Sequence, residues 1–457
     1  MEPGTDLYQR VPTVVLRPEA FGGMAFRGRS GTTLELDEEA YRLLVLLNQP
    51  LTVDEAARSL GVSDCVALES LVQELLALGF LQVFRVPSSN LQVPTWNLKL
   101  GTWNREHGTT ALPTDHLSAP ESIHLALTHR CNLTCPCCYV GHDAAPEMTT
   151  AQVQALIDQA ATGRVFQLAL GGGEPLLRHD LIEIVAYAWQ RGLVPNVTTN
   201  GTLLTPALIR ELAPYVGQVQ LSLNGPDAVT HERYRAHGSF RPAVEAMHLL
   251  QEGGVPFGVN TLVTRDNLPR LQQTIALAVE RGARQITVLR PKPAPDAAWL
   301  PQVSPTPQEY RWLHSLLARA QLAYPQVLFT VDCALSFLMS DIAPARLRRG
   351  AVNGCAGGVR FLTVLPNGDA YPCSFLTSAG MRAGNLPTQG LDEVWHRAHV
   401  LVRWRQMDSR LQGHCRHCPT QAHCQGCRAI ALTATGHLWA ADPDCPRCQE
   451  GDDNENP

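Results

Sequence analysis

The chain has 457 residues, of which 45% are hydrophobic and 17% are charged, a composition typical of a soluble globular protein. This length exceeds what one hydrophobic core supports, so two to four domains are expected. The net charge of −5 gives no electrostatic reason to expect a nucleic acid partner. No apolar run approaches the roughly 20 residues of a membrane-spanning helix, and the polar N-terminus is unlike a signal peptide. A cytoplasmic protein without a membrane partner is therefore expected.

Residues 1–90 are predicted to form a small domain of short strands and three helices. The first strands and the first helix are expected at Thr13–Leu16, Gly23–Arg27, Thr32–Leu36 and Asp37–Leu47. A capping box, Thr52-x-x-Glu55, begins the second helix, because its side chains satisfy free backbone N–H groups. An amphipathic third helix follows over Val66–Leu76, and Phe80–Phe84 is expected to return as a strand. This order predicts a winged-helix fold.

Charge argues against the most common role of a winged helix, which is DNA binding. Met1–Asn90 contains 7 Arg and no Lys against 12 Asp and Glu residues, whereas a duplex-binding domain needs positive charge to neutralise phosphates. Peptide binding by strand addition needs no positive charge, because the main chain makes the pairing. The sequence therefore favours a peptide lying in a groove between the strand Thr32–Leu36 and the helix Val66–Leu78.

The same segment resembles the PqqD-like peptide-recognition domains that accompany peptide-modifying enzymes. The resemblance lies in a series of short motifs, which are Arg17-Pro18, Phe21-Gly22-Gly23, Leu36–Glu38, Leu51-Thr52 and Leu78-Gly79-Phe80. It implies that residues 1–90 bind a precursor peptide. Residues 91–120, with three prolines and little periodicity, are predicted to be a linker.

Residues 121–325 alternate strand-like apolar runs with longer helical stretches, so an α/β fold is expected. The predicted strands are Ile123–Thr128, Val165–Leu170, Val194–Thr198, Val219–Leu223, Gly258–Val263 and Gln285–Leu289. Six strand–helix units in a row predict parallel strands with right-handed crossovers, and hence a partial (β/α)6 barrel of the TIM type. The active site of such a fold lies at the carboxyl ends of its strands.

Fourteen cysteines are the unusual feature of the composition, because cytosolic thiols stay reduced and point to metal sites or catalysis rather than disulfides. Cys65 alone is read as a small buried apolar residue. The first cluster, Cys131-Asn-Leu-Thr-Cys135-Pro-Cys137-Cys138, follows directly on the first barrel strand. Zinc is the alternative, although zinc sites usually pair cysteines as C-x2-C and fill all four positions.

This spacing on a strand-to-helix loop resembles the signature of the radical S-adenosylmethionine (SAM) superfamily. The resemblance implies that Cys131, Cys135 and Cys138 hold a 4Fe–4S cluster whose fourth iron binds SAM. Electron transfer to SAM would then produce methionine and a 5′-deoxyadenosyl radical. Relatives carry an aromatic residue immediately before the third cysteine, whereas Cys137 occupies that position here. Cys137 is thus a candidate spare ligand, and the family spacing favours Cys138 as the ligand.

Further segments resemble the SAM-binding elements of that superfamily. The second strand runs into Gly171-Gly172-Gly173-Glu174-Pro175, which is similar to the GGEP element that receives the amino end of SAM, and glycine allows such a close backbone approach. The fourth strand ends in Ser222-Leu-Asn224, similar to the ribose-contacting segment, with Asn224 in place of the usual aspartate. Arg235 lies in His231-x3-Arg235-x2-Gly238-Ser239-Phe240 and is expected to face the carboxylate of SAM or, alternatively, solvent.

The C-terminal region, 326–450, resembles a SPASM domain, which carries auxiliary iron–sulfur clusters. The resemblance implies one cluster on Cys415, Cys418, Cys424 and Cys445 and a second on Cys355, Cys373 and Cys427. Read without that resemblance, the three C-x2-C pairs would suggest zinc ribbons. No cysteine lies between 356 and 372, so the second cluster is completed by Cys448 or Cys333, or is left open, or is a 2Fe–2S cluster. Residues 451–457 form a polar tail that is expected to be disordered.

Together these features predict a radical SAM peptide maturase that oxidises or crosslinks a ribosomally made precursor. A flavodoxin or ferredoxin is expected to donate the electron. A sulfatase-maturase-like oxidase is one rival, although Ser374 stands where those relatives carry an acidic residue. A radical SAM enzyme acting on a small molecule such as a tetrapyrrole is a second rival. A zinc-ribbon, winged-helix regulator is a third, disfavoured by the acidic first domain.

Overall fold

A computed structural model describes residues 4–28, 31–87, 112–140, 146–293, 300–338, 348–349, 354–377 and 380–447. The chain divides into two compact units. The first comprises Met1–Ser118 and Ala343–Ala351, and the second comprises Ala119–Ile342 and Val352–Pro457. The division at Ser118 falls within the predicted linker, 91–120, and most of that linker lies outside the described residues.

The first unit begins with four strands and three helices and then returns as a fifth strand. The elements are β1 (Gly4–Arg10), β2 (Val14–Glu19), β3 (Gly22–Arg27), β4 (Thr32–Leu36), α1 (Glu38–Leu46), α2 (Val53–Leu60), α3 (Cys65–Ala77) and β5 (Leu81–Pro87). Strands β2, β3 and β4 form an antiparallel meander, while β1 pairs with β5 so that Arg10 lies opposite Leu81. The winged-helix order predicted from the sequence is present, with β1 as an addition.

The helices of this unit begin where the sequence provides capping side chains. Thr52 and Glu55 form the predicted capping box of α2, and Asp37 and Asp64 accept backbone N–H groups at the starts of α1 and α3, which satisfies donors that the first turn leaves free. The apolar faces of the three helices and the sheet share one buried core. Cys65, however, is the exposed first residue of α3, so its interpretation as a buried residue was wrong.

The second unit contains a run of parallel strands with helices between them. Its elements up to residue 331 are β6 (Ser122–Thr128), α4 (Thr150–Thr162), β7 (Gln167–Gly172), α5 (Leu181–Gln190), β8 (Val194–Thr199), α6 (Pro206–Leu212), β9 (Gln218–Ser222), α7 (Ala228–Glu232), α8 (Phe240–Glu252), β10 (Phe257–Leu262), α9 (Leu271–Glu280), β11 (Gln285–Leu289), α10 (Leu300–Val303), α11 (Pro307–Ala323) and β12 (Leu328–Val331). Each strand from β6 to β12 pairs in parallel with the next. The six predicted barrel strands are therefore confirmed, and β12 adds a seventh.

The chain next returns briefly to the first unit. The two-residue strand β13 (Arg348–Arg349) pairs antiparallel with β4, so that Arg348 lies opposite Glu35 and Arg349 opposite Leu34. The sheet of the first unit thus has the order β13-β4-β3-β2. The edge of β4 that the sequence suggested for a peptide is already paired over these two residues.

The cysteine-rich region continues the sheet of the barrel. Its elements are β14 (Phe361–Val364), β15 (Asp369–Tyr371), β16 (Gly384–Asn385), α12 (Leu386–Gln389), α13 (Leu391–Arg397), α14 (His399–Arg405), α15 (His414–His417) and α16 (Arg428–Thr435). Strand β14 pairs in parallel with β6, and β15 and β16 follow antiparallel. A single sheet of ten strands therefore carries both the barrel and the cysteine-rich region. Within the described ranges, no helix is long and apolar enough to cross a membrane.

Candidate metal centres and active site

The first cysteine loop is held at its start by the glycine motif on the neighbouring strand. Backbone N–H groups of Gly173 and Glu174 donate to the carbonyl oxygens of Thr128 and Arg130, both at 2.8 Å. A Cβ atom at Gly173 would lie 2.2 Å from the carbonyl oxygen of Arg130, and one at Gly172, whose φ is +114°, would lie 2.3 Å from that of Thr128. Only glycine permits this approach, so the motif fixes where the loop to Cys131 begins.

Two asparagines attach the same loop to the end of β8. The Asn200 side chain donates to Oδ1 of Asn132 at 2.9 Å, and the Asn132 side chain donates to the Thr202 hydroxyl at 2.8 Å. Asn132 lies directly after Cys131, so the first cysteine is positioned by the carboxyl ends of three neighbouring strands. This is the edge at which active sites of parallel α/β folds are built.

The thiols of Cys131, Cys135 and Cys138 lie within electrostatic range of one another. Burial raises the pKa of Cys131 and of Cys138, and the neighbouring thiols add to both shifts. The backbone N–H of Leu133 donates to Sγ of Cys131 at 3.5 Å, an N–H to sulfur bond of the kind that tunes iron–sulfur clusters. Thiolates gathered in this way need a compensating positive charge, which bound iron would provide.

Cys137 points to a different partner. Its thiol donates to the carbonyl oxygen of Tyr234 at 2.9 Å, and burial raises its pKa to about 11. The thiol of Cys138 also donates to a carbonyl oxygen, that of Val140, but at the longer distance of 3.8 Å. Cys138 stays the predicted third ligand on the family spacing, and Cys137 makes the shorter hydrogen bond.

Single substitutions distinguish these two thiols. The Cys137→Ala variant is expected to keep its cluster and most of its SAM cleavage, because only a hydrogen bond to Tyr234 is lost. The Cys138→Ala variant is expected to lose both, because one of three iron ligands is missing. Iron content and 5′-deoxyadenosine formation under reducing conditions measure the difference. The opposite pattern would move the site by one residue.

The carboxylate of Glu174 is engaged in hydrogen bonds within the protein. Its carboxylate is fully buried and accepts hydrogen bonds from the Thr199 hydroxyl at 2.7 Å, the Asn200 N–H at 2.9 Å and the Leu176 N–H at 3.1 Å. Burial nevertheless raises its pKa. Pro175 then begins a short 3-10 helix, Pro175–Leu177. The side chain of Glu174 thus ties the glycine motif to β8, and the backbone of the motif is what remains for a cofactor.

A histidine that the sequence did not assign fixes the end of β9. His231 is 1% exposed, and its Nδ1 accepts the backbone N–H of Asn224 at 3.2 Å. Burial lowers the pKa of His231 to about 4, so the ring stays neutral and keeps this acceptor. The predicted ribose residues Ser222 and Asn224 are buried here, and Nδ2 of Asn224 is a buried donor without a hydrogen-bond partner among the described residues. In the sequence, the signal that could have indicated this role was the position of His231 in the H-x3-R pattern.

Arg235 provides the observation that fits a bound anion. Its Nε is buried and has no hydrogen-bond partner in the part of the chain that the structure describes. Its charge is close enough to lower the pKa values of Cys137 and Cys138 and to act on Glu174. An unpaired guanidinium beside the cysteine loop is suited to a carboxylate, since its planar fork matches that group.

A second group of cysteines lines a small, partly open pocket. The wall of this pocket contains all four cysteines predicted for one auxiliary cluster, which are Cys415, Cys418, Cys424 and Cys445. The buried Arg428 lies beside Cys415; its Nη1 donates to the carbonyl oxygens of Leu438 and Ala440, while its Nε and Nη2 have no hydrogen-bond partner among the described residues. Four thiols around one pocket, with a cation next to them, fit an anionic iron–sulfur cluster.

A third group contains the remaining predicted ligands and one more thiol. Cys355, Cys373 and Cys427 act on one another electrostatically, and burial raises the pKa of Cys373 to about 12 and that of Cys427 to about 11. Cys333 lies beside Cys355 in the same group. No three His, Cys, Asp or Glu side chains of the described residues converge on the position of a single metal ion. The ligands of a multi-iron cube, by contrast, lie apart at its corners.

A buried ion pair connects this third group to the barrel. Arg290, which follows β11, donates to both carboxylate oxygens of Asp442 at 2.7 and 2.8 Å and to Asp444 at 3.1 Å. Arg290 and Asp442 are both fully buried. Asp442 also accepts the backbone N–H of Cys427 at 2.8 Å, so one carboxylate orients a candidate ligand and holds it against the strand end.

The sequence matches two known families. The profile of the radical SAM superfamily matches residues 125–278, and that of the SPASM iron–sulfur cluster-binding domain matches residues 355–419. The chain is 33% identical to an AdoMet-dependent heme synthase of Methanosarcina barkeri over 72% of its own length and 97% of that protein. It is 32% identical to the mycofactocin maturase MftC of Mycolicibacterium smegmatis, over 72% and 83%, and to a PqqA peptide cyclase of Xanthomonas oryzae pv. oryzae, over 74% and 89%.

Solved structures extend the likeness to nearly the whole chain. SuiB of Streptococcus suis bound to S-adenosylmethionine has a TM-score of 0.70 at 16% identity, covering 96% of this chain and 99% of that one. At this identity the likeness shows the fold alone. The two family matches and the relatives above 30% identity, which the chain covers almost entirely, decide the family. The chain belongs to the radical SAM superfamily, among the enzymes that carry a SPASM iron–sulfur domain.

Proposed function

We propose that this enzyme is a peptide maturase that modifies a ribosomally made precursor. The observation that carries the proposal is a small acidic unit with its own hydrophobic core, joined to a radical SAM and SPASM enzyme. Relatives named as a mycofactocin maturase and a PqqA peptide cyclase support a peptide substrate. A structure of SuiB bound to its precursor peptide SuiA, which has the same fold, supports it as well. A flavodoxin or ferredoxin in the cytoplasm would donate the electron.

The radical SAM core uses a 4Fe–4S cluster and SAM, and the SPASM region holds auxiliary iron–sulfur clusters. When bound, the cluster and SAM supply a 5′-deoxyadenosyl radical that removes a hydrogen atom from substrate. We assign Cys131, Cys135 and Cys138 to that cluster, and the backbone of Gly172–Gly173 to the amino end of SAM. Arg235 would face the carboxylate of SAM, and Ser222 and Asn224 would lie near the ribose.

Four side chains near the first cysteine loop and the third cysteine group contact one another in series. Tyr139 is 44% exposed and packs against Phe375 at a tilted angle, with 4.4 Å between ring centroids. The ammonium of Lys292 lies 4.3 Å from the centroid of Phe375 and 2.6 Å from the carboxylate of Asp332. The carboxylate in this group is already paired with a lysine, which disfavours the base-assisted chemistry of a sulfatase-maturase-like oxidase.

The leader of the precursor would bind the first unit by strand addition, and β4 remains the candidate strand. Because β13 already pairs with Leu34 and Glu35, an incoming leader would replace those two residues rather than meet an open edge. Tethering the leader there would raise the local concentration of the core peptide at the radical site.

Deletion of residues 1–90 tests the peptide role. SAM cleavage without peptide is expected to stay unchanged, because none of the assigned ligands lies in that segment. Modification of a precursor peptide, taken from the short reading frames beside the gene, is expected to fall at least about tenfold as the tether is lost. Adding the isolated domain in trans should restore part of it. Equal turnover of the precursor by full-length and truncated enzyme would contradict the proposal.

A tetrapyrrole substrate is the second candidate, because the 33% identical relative is named a heme synthase. That relative corresponds to 72% of this chain, and the two peptide-modifying relatives correspond to 72% and 74%, so coverage does not separate the two candidates. The two candidates separate directly in one experiment, in which the full-length enzyme receives either a tetrapyrrole or the precursor peptide. Conversion of the tetrapyrrole to heme, without any change in the peptide, would favour the small molecule.

A further inference from the structure

Cys333 lies 22 residues before Cys355 in the sequence but is in contact with it in the fold. The hydroxyl of Ser336 donates to the carbonyl oxygen of Gly354, directly before Cys355, at 3.5 Å. Ala334, directly after Cys333, lies in the same buried cluster as Cys355 and Cys427, and Cys373 packs against that cluster. Cys373 also lies within electrostatic range of Cys333, and Cys427 within range of both Cys355 and Cys373. Four thiols therefore share one site, where the sequence motif supplies three.

The position of Cys333 is fixed by the edge of the barrel sheet. Strand β12 ends at Val331, and Asp332 then accepts the backbone N–H groups of Arg290 at 3.1 Å and Ala334 at 2.9 Å. The carbonyl oxygen of Ala334 accepts from Arg290 at 3.0 Å. These bonds hold the short helix Cys333–Leu338 in place from both sides. The thiol is thus presented to the other three by the protein scaffold itself.

The surroundings of this group suit an anionic cluster. The ammonium of Lys292 lies 2.6 Å from the carboxylate of Asp332, directly before Cys333, and 4.3 Å from the ring centroid of Phe375, two residues after Cys373. The backbone N–H of Phe375 donates to Sγ of Cys373 at 3.5 Å. A nearby cation and N–H to sulfur bonds stabilise the negative charge of a thiolate-bound cluster.

We propose that Cys333 is the fourth ligand of the auxiliary cluster held by Cys355, Cys373 and Cys427, an assignment that rests on the proposed function of those three residues. Four cysteines close every iron of a 4Fe–4S cube. A closed cluster transfers electrons but binds no substrate, since reactive metal centres keep an open position. This cluster would therefore accept an electron from the substrate radical, and the substrate would not bind to its iron.

The test uses the full chain with Cys131, Cys135 and Cys138 changed to alanine, so that only auxiliary clusters remain. Isotopically labelled cyanide, which binds iron only at an open position, is the probe, and its coupling is read by ENDOR on the reduced protein. With Cys333 present no coupling is expected. With Cys333→Ala a coupled signal should appear, and mild oxidation should produce the EPR signal of a 3Fe–4S cluster with about one iron lost per chain. The exposed Cys65→Ala is the matched control and should behave as the parent.

Three results would overturn the proposal. One is cyanide binding while Cys333 is present, which would leave the auxiliary cluster itself intact but open. Another is the coupled signal arising from Cys448→Ala instead of Cys333→Ala. If Cys333→Ala loses the whole cluster, Cys333→Ser decides, because an oxygen ligand should retain the iron and lower the cluster potential. Loss of iron in that variant too, with unchanged circular dichroism, would also refute the role. Cys355→Ala retaining both clusters would instead refute the underlying assignment.

Discussion

Simultaneous replacement of Cys131, Cys135 and Cys138 by alanine is expected to abolish the formation of 5′-deoxyadenosine from SAM. Alanine offers no metal donor, and the three thiols lie close enough to act on one another electrostatically. Without the cluster no electron reaches the sulfonium of SAM. Product should fall below detection in an anaerobic assay with excess dithionite.

The same variant should keep most of its auxiliary iron, because the other candidate ligands lie on separate segments between 333 and 445. Iron is expected to fall by about four atoms per chain, the content of one cube. Cys65→Ala is the control, since Cys65 is exposed on α3 in the first unit. SAM cleavage by the triple variant, or loss of all iron, would contradict the separation of the centres.

Replacement of Arg290 by methionine is expected to have the largest effect on stability. The change would remove the buried ion pair of Asp442 with Arg290 and would weaken the hold of that carboxylate on the backbone N–H of Cys427. Removing one partner of a buried ion pair costs about 3–5 kcal/mol. The free energy of unfolding, measured in urea, should fall by that amount, and auxiliary iron should be retained poorly.

Arg284→Met is the matched control for that experiment. Arg284 directly precedes β11 and is exposed, so the same change in charge and volume should shift the unfolding free energy by no more than about 0.5 kcal/mol. The double variant Arg290→Met, Asp442→Leu should recover part of the stability, because an apolar pair replaces the ion pair without an orphaned charge. Full stability in Arg290→Met alone would show that Asp442 finds another partner.

Much of the fold was predictable from the sequence because its signals are local. The barrel strands are short apolar runs between helical periods, and Gln285–Leu289 was predicted without error. Strand β7 begins two residues later than expected. Val165 and Phe166 are buried as predicted, but they lie before the parallel ladder begins. The capping box at Thr52 was equally local and equally reliable.

The elements that escaped prediction depend on distant partners. Strand β1 is mostly polar, and its pairing with β5 joins residues more than 70 positions apart. Strand β13 consists of two arginines whose strand conformation comes entirely from β4. Cys65 was misjudged because an apolar residue in an amphipathic stretch does not reveal which face it takes at a helix start. In each case tertiary contacts decide what local pattern cannot.

The candidate site also contains features that were predictable from the sequence and features that were not. The cysteine spacings, the glycine motif and Arg235 were visible because each lies in one short segment. The role of His231 as an acceptor for the Asn224 backbone, and the meeting of Cys333 with Cys355, required the fold. Glu174 shows a further difference, since a residue placed in the cofactor motif by resemblance uses its carboxylate to join two strands.

Strand β14 pairs with β6 along four residues, from Phe361 to Val364. Strand β6 leads into the first cysteine loop, and β14 and β15 separate Cys355 from Cys373 along the chain. The two candidate redox centres are therefore anchored to neighbouring strands of one hydrogen-bonded sheet and not to bodies joined by a hinge. The separation between the two candidate centres is therefore set by the backbone hydrogen bonds of one sheet, and no domain movement is needed to bring them together.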